Sequence, residues 1–424
     1  MAEIRPFRGW RYNSELNHSI QDLTFPLQAE KLHELSKNKF NAIHLACPAT
    51  AEQAAETLKD WKQHKILLQD PLPSIYTYSI SFNDENGKKE NLNGFICNIK
   101  LHAWSDQVIL RHENVLPGSV DNLVNMLKST QLHITPSHGL YTDPEFKLEP
   151  ILEKSLLQPI YHFNDQTGIT HKMGIVQDWK LIRYFAEVLS SKSIILADGH
   201  HRYSASLEYI QEYSNKDSFS ANWHCIFLSN SEKNSFRINP IHRLVQSLKT
   251  MSEEAIIEKL KDYFWVELID NPYRIEKALS ERGKYCFGIV FQKQYMIITL
   301  KDGLEKMISW DFPEVIKGLD LTVLHYFIIE KCLDIKGKDQ KNSKNINFSF
   351  NFTKVIMSVL EEKEPMAIIT RPVSMNEIKK VCYSGFTLPH KSTWFFPKIL
   401  CGLVFGSIDE KEFAIECELY KNFN

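Results

Sequence analysis

Apolar positions along this chain fall into two kinds of pattern. Short runs such as SIYTYSISF, GFICNIKL, SIILA, YCFGIVF and QYMIITL are dense in β-branched and aromatic residues and predict strands. Longer stretches carry apolar residues three and four apart and predict helices. ATAEQAAETLKDWKQHKIL is one, with Ala54, Leu58 and Trp61 on a common face. SVDNLVNMLKST, DWKLIRYFAEVLSS and MSEEAIIEKLKDYF are others, as is LDLTVLHYFIIEKCL with apolar residues at 321, 324, 328 and 332. SIYTYSISF and GFICNIKL predict paired strands across the polar turn NDENGKKENLN, and YCFGIVF with QYMIITL predicts a hairpin. LHELSKNKFNAIHL opens with helical spacing and ends as a short apolar strand; FRINPIHRLV reads as one strand-like run. Ser374 and Glu377 stand in a capping-box relation, and Gly385 sits where that helix should end.

Strands and helices alternate imperfectly, and hairpins are present. The fold class is therefore mixed α/β (α+β) rather than a regular doubly wound sheet. Two domains are expected, 1–234 and 235–424, the second also α/β. The lysine-rich run Ile335 to Asn345 predicts an exposed loop.

Composition excludes several classes. The hydrophobic fraction is 43% and the charged fraction 24%, as in an ordinary globular chain. A net charge of -2 and the lack of basic patches interleaved with aromatics argue against nucleic acid as a partner. No apolar run reaches about 18 residues, and MAEIRPFRGW lacks the order of a signal peptide, so no membrane partner and a cytoplasmic location are expected. The eight cysteines form no C-x-x-C pair and read as reduced core thiols. A homodimer is compatible with the sequence, which carries no signal for it.

The densest chemistry lies at Asp198-Gly199-His200-His201-Arg202. It follows the buried strand SIILA and precedes the helical ASLEYIQEY, with five residues between them. Polar groups at the carboxyl end of a buried strand, before a helix, occupy the usual ligand position of α/β proteins. The first amides of a helix attract anions, Gly199 lets backbone approach closely, and Arg202 can hold a phosphate with two parallel hydrogen bonds. His200 and His201 add donors of adjustable charge. Asp198 can cap the helix, orient a histidine or reach a hydrated Mg²⁺. A simple strand-to-helix turn with surface histidines is the competing reading.

Arg111, His112 and Glu113 form a second polar cluster at the end of the strand-like QVILRHE. Glu113 can act as a general base, with His112 orienting it or contacting phosphate and Arg111 contacting phosphate. The scheme requires 111–113 to meet 198–202 in space. GFTLPHKS imitates a phosphate loop but has His390 where the second glycine belongs, and it lacks the strand and helix on either side. Lys391, Ser392 and Thr393 remain candidates for lining a pocket, as do His242 and Arg243. Tyr12, His138 and Tyr141 are weaker single candidates.

ILADGHHRYSAS resembles the phosphate-binding signature of the ParB/sulfiredoxin superfamily, matching it at Gly199, Arg202, Tyr203 and Ala205 and departing at His200 and His201. The departure resembles the free-serine kinases of that superfamily. The resemblance implies a ParB/sulfiredoxin-like nucleotide-binding core in the first half, phosphates of ATP, ADP or CTP held at 199–202, and a glutamate base, carried here to Glu113. A broader resemblance joins IRPFR, LRHE, ADGHHRYSAS, NPIHRLV, LDLTVLH and LPHKSTWFFPK. On these the chain is identified as a member of the bacterial domain-of-unknown-function 1015 family. The departure at LPHK, where that family more often reads MPPK or MPQK, is mild.

The expected activity is a nucleotide-dependent phosphotransferase acting on a small hydroxyl-bearing metabolite. Glu113, His112, Asp198 and His200 would do the chemistry, Asp198 with Mg²⁺. Arg111 and Gly199 to Arg202 would hold phosphate. Two other readings stay open: a nucleotide-binding regulatory module with little turnover, and a metal-dependent hydrolase.

Overall fold

The computed structural model describes the chain except 21–22, 85–86, 116–117, 119, 214–217, 234–235, 249–250, 341–343, 390 and 414–424. The fold is mixed α/β. It groups into two compact units, Met1–Phe236 with the chain from Pro397 onward, and Arg237–Phe396. The expected division at 234/235 lies on residues outside those described. The sequence pattern gave no sign that the chain returns to the first unit at Pro397.

The first unit is built on a nine-stranded sheet. Its strands are β1 (Ile4–Arg5), β2 (Ile75–Asn83), β3 (Lys89–Lys100), β4 (Ile109–Arg111), β5 (Ser137–Tyr141), β6 (Tyr161–Asn164), β7 (Thr170–Val176), β8 (Ile194–Asp198) and β9 (Trp223–Asn230). They lie in the order β4-β8-β5-β9-β3-β2-β7-β6, with β1 beside β3. β4 runs parallel to β8 and β5 parallel to β9; the other pairs are antiparallel. Every residue of β9 is buried, and so is β2 up to Phe82, including polar residues such as Thr77, Ser79, Ser81 and His224.

β2 and β3 pair as predicted, but β3 begins at Lys89, inside the expected turn. Ser79 donates to Asn93 Oδ1 at 2.6 Å and Ser81 to Asn91 Oδ1 at 2.5 Å. Cross-strand bonds of this kind let polar residues extend a ladder that their hydropathy conceals.

Four helices of this unit matter below: α1 (Ala51–Gln63), α2 (Asp121–Thr130), α3 (Trp179–Leu189) and α4 (His200–Tyr213). α1 is capped by Thr50 and buries the predicted Ala54, Leu58 and Trp61. α3 is capped by Asp178 and sets Phe185 edge-on to Phe95 of β3, ring centres 4.7 Å apart. Each fully buried side chain of that size stabilises by roughly 1.5–3 kcal/mol. The apolar end of LHELSKNKFNAIHL is a short helix, Ile43–Ala46, not a strand. Asn41 Oδ1 accepts the Ile43 amide at 2.9 Å, an Asx turn that favours helical entry.

The second unit carries a six-stranded antiparallel sheet. Its strands are β10 (His242–Val245), β11 (Phe264–Ile269), β12 (Cys286–Val290), β13 (Tyr295–Leu300), β14 (Ile346–Ser349) and β15 (Met366–Ile369), in the order β11-β13-β12-β15-β10-β14. The hairpin β12–β13 is as predicted. FRINPIHRLV divides instead into Arg237–Asn239 and β10, in different sheets. Pro240 lies between them and cannot donate to a ladder. LDLTVLHYFIIEKCL is α-helical only over Asp320–Val323 and continues as a π-helix, Leu324–Cys332. Every residue from Leu324 to Ile329 is buried, so the helix has no polar face there.

Seven cysteines are free thiols, all buried except Cys47, which is partly exposed; Cys417 lies outside the described residues. Among the described residues no helix is long and apolar enough to cross a membrane.

Candidate functional site

β8 is buried up to Ala197 and ends at Asp198. Gly199 alone turns the chain, with φ at +88°, and α4 starts at His200. The five residues expected between strand and helix shrink to one, because glycine in the left-handed region redirects the backbone in a single step. His200, His201 and Arg202 thereby form the first turn of a helix, whose amides have no acceptor within the helix.

β4 is the parallel neighbour of β8, with Arg111 opposite Leu196. Both strands present their carboxyl ends to the same edge. The chain then carries His112 against His200, with Glu113 near enough to act on the charge of both rings. His112 is buried, and its Nδ1 donates to the Leu196 carbonyl oxygen at 2.6 Å. Its ring meets that of His200 edge-on, centres 4.6 Å apart. The structure therefore brings 111–113 and 198–202 together, as the scheme requires.

His200 is 8% exposed, and its Nε2 is buried with no hydrogen-bond partner among the described residues. Burial first, and then the neighbouring His112, push its pKa down to about 3 against the pull of Glu113 and Asp198. Burial likewise lowers His112, with Glu113 opposing. Both imidazoles are neutral at pH 7. They serve as hydrogen-bonding groups, not as cations.

The positive charge comes from elsewhere. Arg202 Nη2 lies 3.8 Å from Asp198 Oδ2, and Lys398 Nζ lies 3.5 Å from the same oxygen. Burial raises the Asp198 carboxyl, but Lys398 and Arg202 outweigh it, with His200 and the Gly199 amide, and hold it down to about 2. Arg202 also donates to the Pro136 carbonyl at 3.3 Å, while its Nε is buried without a partner among the described residues. The Arg111 guanidinium lies over the Trp104 ring at 5.1 Å, and Trp104 packs on Tyr203 at 4.9 Å. Lys398 was missed by the sequence reading. It ends the run LPHKSTWFFPK, on the segment that re-enters the first unit, and nothing local links it to Asp198.

The Asp198 carboxylate is engaged by two cations, and among the described residues no group of three or more His, Cys, Asp or Glu could hold an ion. The metal-hydrolase reading has no donor set among them.

The candidates in the second unit separate. His242 and Arg243 are adjacent on β10 and point to opposite faces of the sheet. His242 faces Phe352 and accepts the Thr370 amide on Nδ1 at 3.3 Å. Burial and then Arg243 push its pKa down to about 3. Arg243 is wholly buried; it donates to the Ile241 carbonyl, to Lys391 O at 3.3 Å and to His325 Nε2 at 3.2 Å. Lys391 and Arg243 both face the Phe348 ring, at 5.8 and 5.5 Å. Ser392 is buried with its hydroxyl on the Pro389 carbonyl, and Thr393 is buried beside it in sequence. A strand, Trp394–Phe396, follows where a phosphate loop would open a helix. His390 lies outside the described residues.

Residues 4–322 match the family model described as a protein of unknown function (DUF1015), and the chain belongs to that family. No curated protein matches it. Among solved structures it is similar to a free serine kinase in complex with AMP, at 12% identity and TM-score 0.38, over 74% of this chain and 92% of that one. It is similar to a conserved hypothetical protein from Pyrococcus furiosus at 11% and 0.37, over 74% and 96%. It is also similar to SbnI with C-terminal truncation from Staphylococcus aureus at 11% and 0.38, over 76% and 93%.

Proposed function

For this member of the family, we propose a nucleotide-dependent phosphotransferase whose site is the shared carboxyl edge of β4 and β8. The nucleotide phosphates sit on the first amides of α4, between Arg202, Lys398 and Arg111. The observation that carries this reading is the meeting of His112 with both β8 and His200, which sets Glu113 beside a helix start flanked by cations. An orphaned, buried His200 Nε2 and Arg202 Nε at the same place are polar groups that a ligand would satisfy.

The chemistry follows from position. Glu113 takes the proton of an acceptor hydroxyl as its oxygen attacks the terminal phosphoryl group. The bond from phosphorus to the nucleotide's bridging oxygen breaks, and the departing nucleotide keeps that electron pair. Arg202 and Lys398 neutralise the charge that builds there, the usual work of a protein in phosphoryl transfer. Asp198 holds these two cations in place rather than acting on substrate. No step is assigned to Mg²⁺. The nucleotide, a ParB/sulfiredoxin-like core and a serine-like acceptor are suggested by the motif resemblance at Gly199, Arg202, Tyr203 and Ala205.

Calorimetry with ATP, ADP and CTP, with and without Mg²⁺, tests the reading first; absence of binding by all three would sink it. A metabolite screen for phosphate transfer comes next. Glu113→Gln should lower turnover by about 10²–10⁴-fold with little change in nucleotide affinity. Binding with no turnover on any hydroxyl acceptor would favour a nucleotide-sensing module instead.

A further inference from the structure

Gly199 is held by side chains that the scheme above leaves without a role. The Ser137 hydroxyl, at the start of β5, is 3.2 Å from the Gly199 carbonyl oxygen and 2.8 Å from His224 Nε2. His224, in β9, is wholly buried, and its Nδ1 is 2.8 Å from the Ser206 hydroxyl on the second turn of α4. Ser206 in turn is 3.2 Å from the Arg202 carbonyl oxygen. The chain thus leaves one end of the 199–202 turn, crosses two strands and returns to the other end. A Cβ on Gly199 would lie 2.4 Å from Ser137 Oγ, so the Gly199 backbone lies directly against that side chain.

We propose that Ser137, His224 and Ser206 are positioning residues for the phosphate site, fixing the Gly199–His200 peptide so that the His200 N–H faces the ligand. The proposal rests on the reading of the site given above. The Gly199 oxygen already accepts the Tyr203 amide at 2.9 Å, the first bond of α4. The Ser137 hydroxyl can supply a second donor to that oxygen. When the oxygen is held twice, the peptide plane is fixed and its N–H stays directed out of the helix start.

His224 is neutral, because burial first, then His133 and Arg202, push its pKa well down. A neutral imidazole has one N–H, and each serine has one O–H. Two arrangements satisfy the chain. In one, Ser206 donates to Nδ1, Nε2–H donates to Ser137, and Ser137 donates to Gly199. In the other every donor is reversed, and the last hydrogen goes to Arg202 O. The two ends are equally long at 3.2 Å, so distance favours neither. An anion does. By accepting the His200 N–H it polarises the peptide, makes the Gly199 oxygen a better acceptor and draws the chain toward it. The complex should therefore hold His224 as the Nε2–H tautomer.

The test uses the full chain. Nitrogen-15 spectra of labelled histidine, with and without ADP, report the tautomer directly. The His224 signals are identified by their loss in His224→Gln or, if that variant does not fold, by their shift in Ser137→Ala. A neutral Nε2–H ring in the ADP complex is expected; an imidazolium or an Nδ1–H ring there overturns the proposal. In parallel, Ser137→Ala should weaken ADP binding about tenfold, the loss of one hydrogen bond, and Ser137→Thr should restore it. Wild type and Ser137→Ala binding ADP equally well would end the positioning role alone. Wild type failing to bind ADP at all would end this role together with the function it serves.

Discussion

Two histidine–arginine pairs in this chain meet opposite fates. His201–Arg202 opens a helix; His242–Arg243 lies inside a strand. Arg202 keeps a carboxylate at 3.8 Å, shared with Lys398, and its side chain stays 23% exposed. Arg243 is wholly buried on backbone carbonyls and His325, and no carboxylate of the described residues pairs with it. Burial alone pushes its pKa down to about 9, so it remains a cation. The backbone makes the difference. A helix start gathers successive amides and side chains around one end, whereas a strand sends neighbours to opposite faces. The same pair stands partly open at a helix start in one unit and is internal structure in the other.

Replacing each arginine with methionine is the strongest way to break this contrast. Arg202→Met should weaken ADP binding about 10–100-fold, the worth of a charged hydrogen bond or two. Arg243→Met should leave the affinity of the folded protein unchanged. It should lower stability to urea by about 2–4 kcal/mol, because two carbonyls and a ring nitrogen lose their donor. Equal losses of ADP affinity in the two variants would show that Arg243 also meets ligand, and the contrast would fail.

A glycine in each unit sharpens the same point. Gly199 and Gly303 both have positive φ, +88° and +82°. A side chain at Gly303 would meet nothing within 4 Å, whereas at Gly199 it would strike Ser137 and Arg202. Gly303→Ala should cost only the left-handed backbone term, about 1–2 kcal/mol. Gly199→Ala should cost more, by about 1–2 kcal/mol, and should also weaken ADP binding. Equal unfolding midpoints would mean that the contact with Ser137 is looser than the geometry shows.

How much of this could be read from the sequence depends on how local the cause is. The position of Asp198 to Arg202 was legible, since strand, glycine and helix follow one another directly. The meeting with Arg111, His112 and Glu113 was only a requirement, because the pairing of β4 with β8 is set by packing between segments far apart in the chain. Lys398 was invisible for the same reason. It reaches Asp198 only because the chain re-enters the first unit at Pro397. The opposite facing of His242 and Arg243 followed from strand periodicity, had that been applied to the pair. The Ser137–His224–Ser206 chain had no signal at all. Single serines and a histidine in apolar strands look like core polar residues until their partners are known.

The smallest effect concerns protons, and again the units differ. In the first unit burial lowers the pKa of His112, His133, His138, His200 and His224, to about 4 for His133, about 3 for His138 and His200, and well down for His224. In the second, His242 is lowered to about 3. The unfolded chain protonates these rings near pH 6.5. Between that value and the folded one, the unfolded state binds more protons. The stability each ring contributes is therefore complete above about pH 6.5 and is lost as pH falls toward the folded value. From pH 7 to 6 the rings of His133, His138, His200 and His242, whose folded values lie near 3 to 4, should each cost about 0.7 kcal/mol. Acid should accordingly loosen the first unit before the second, visible as earlier amide exchange in β8 and β9 than in β12 and β13. His138→Gln, whose ring bonds only Ser229 among the described residues, should remove about 0.7 kcal/mol of that pH dependence in urea titrations at the two pH values. An unchanged dependence would mean that the ring takes up a proton in the folded state, and that the neutral histidine core of the first unit is not what separates it from the second.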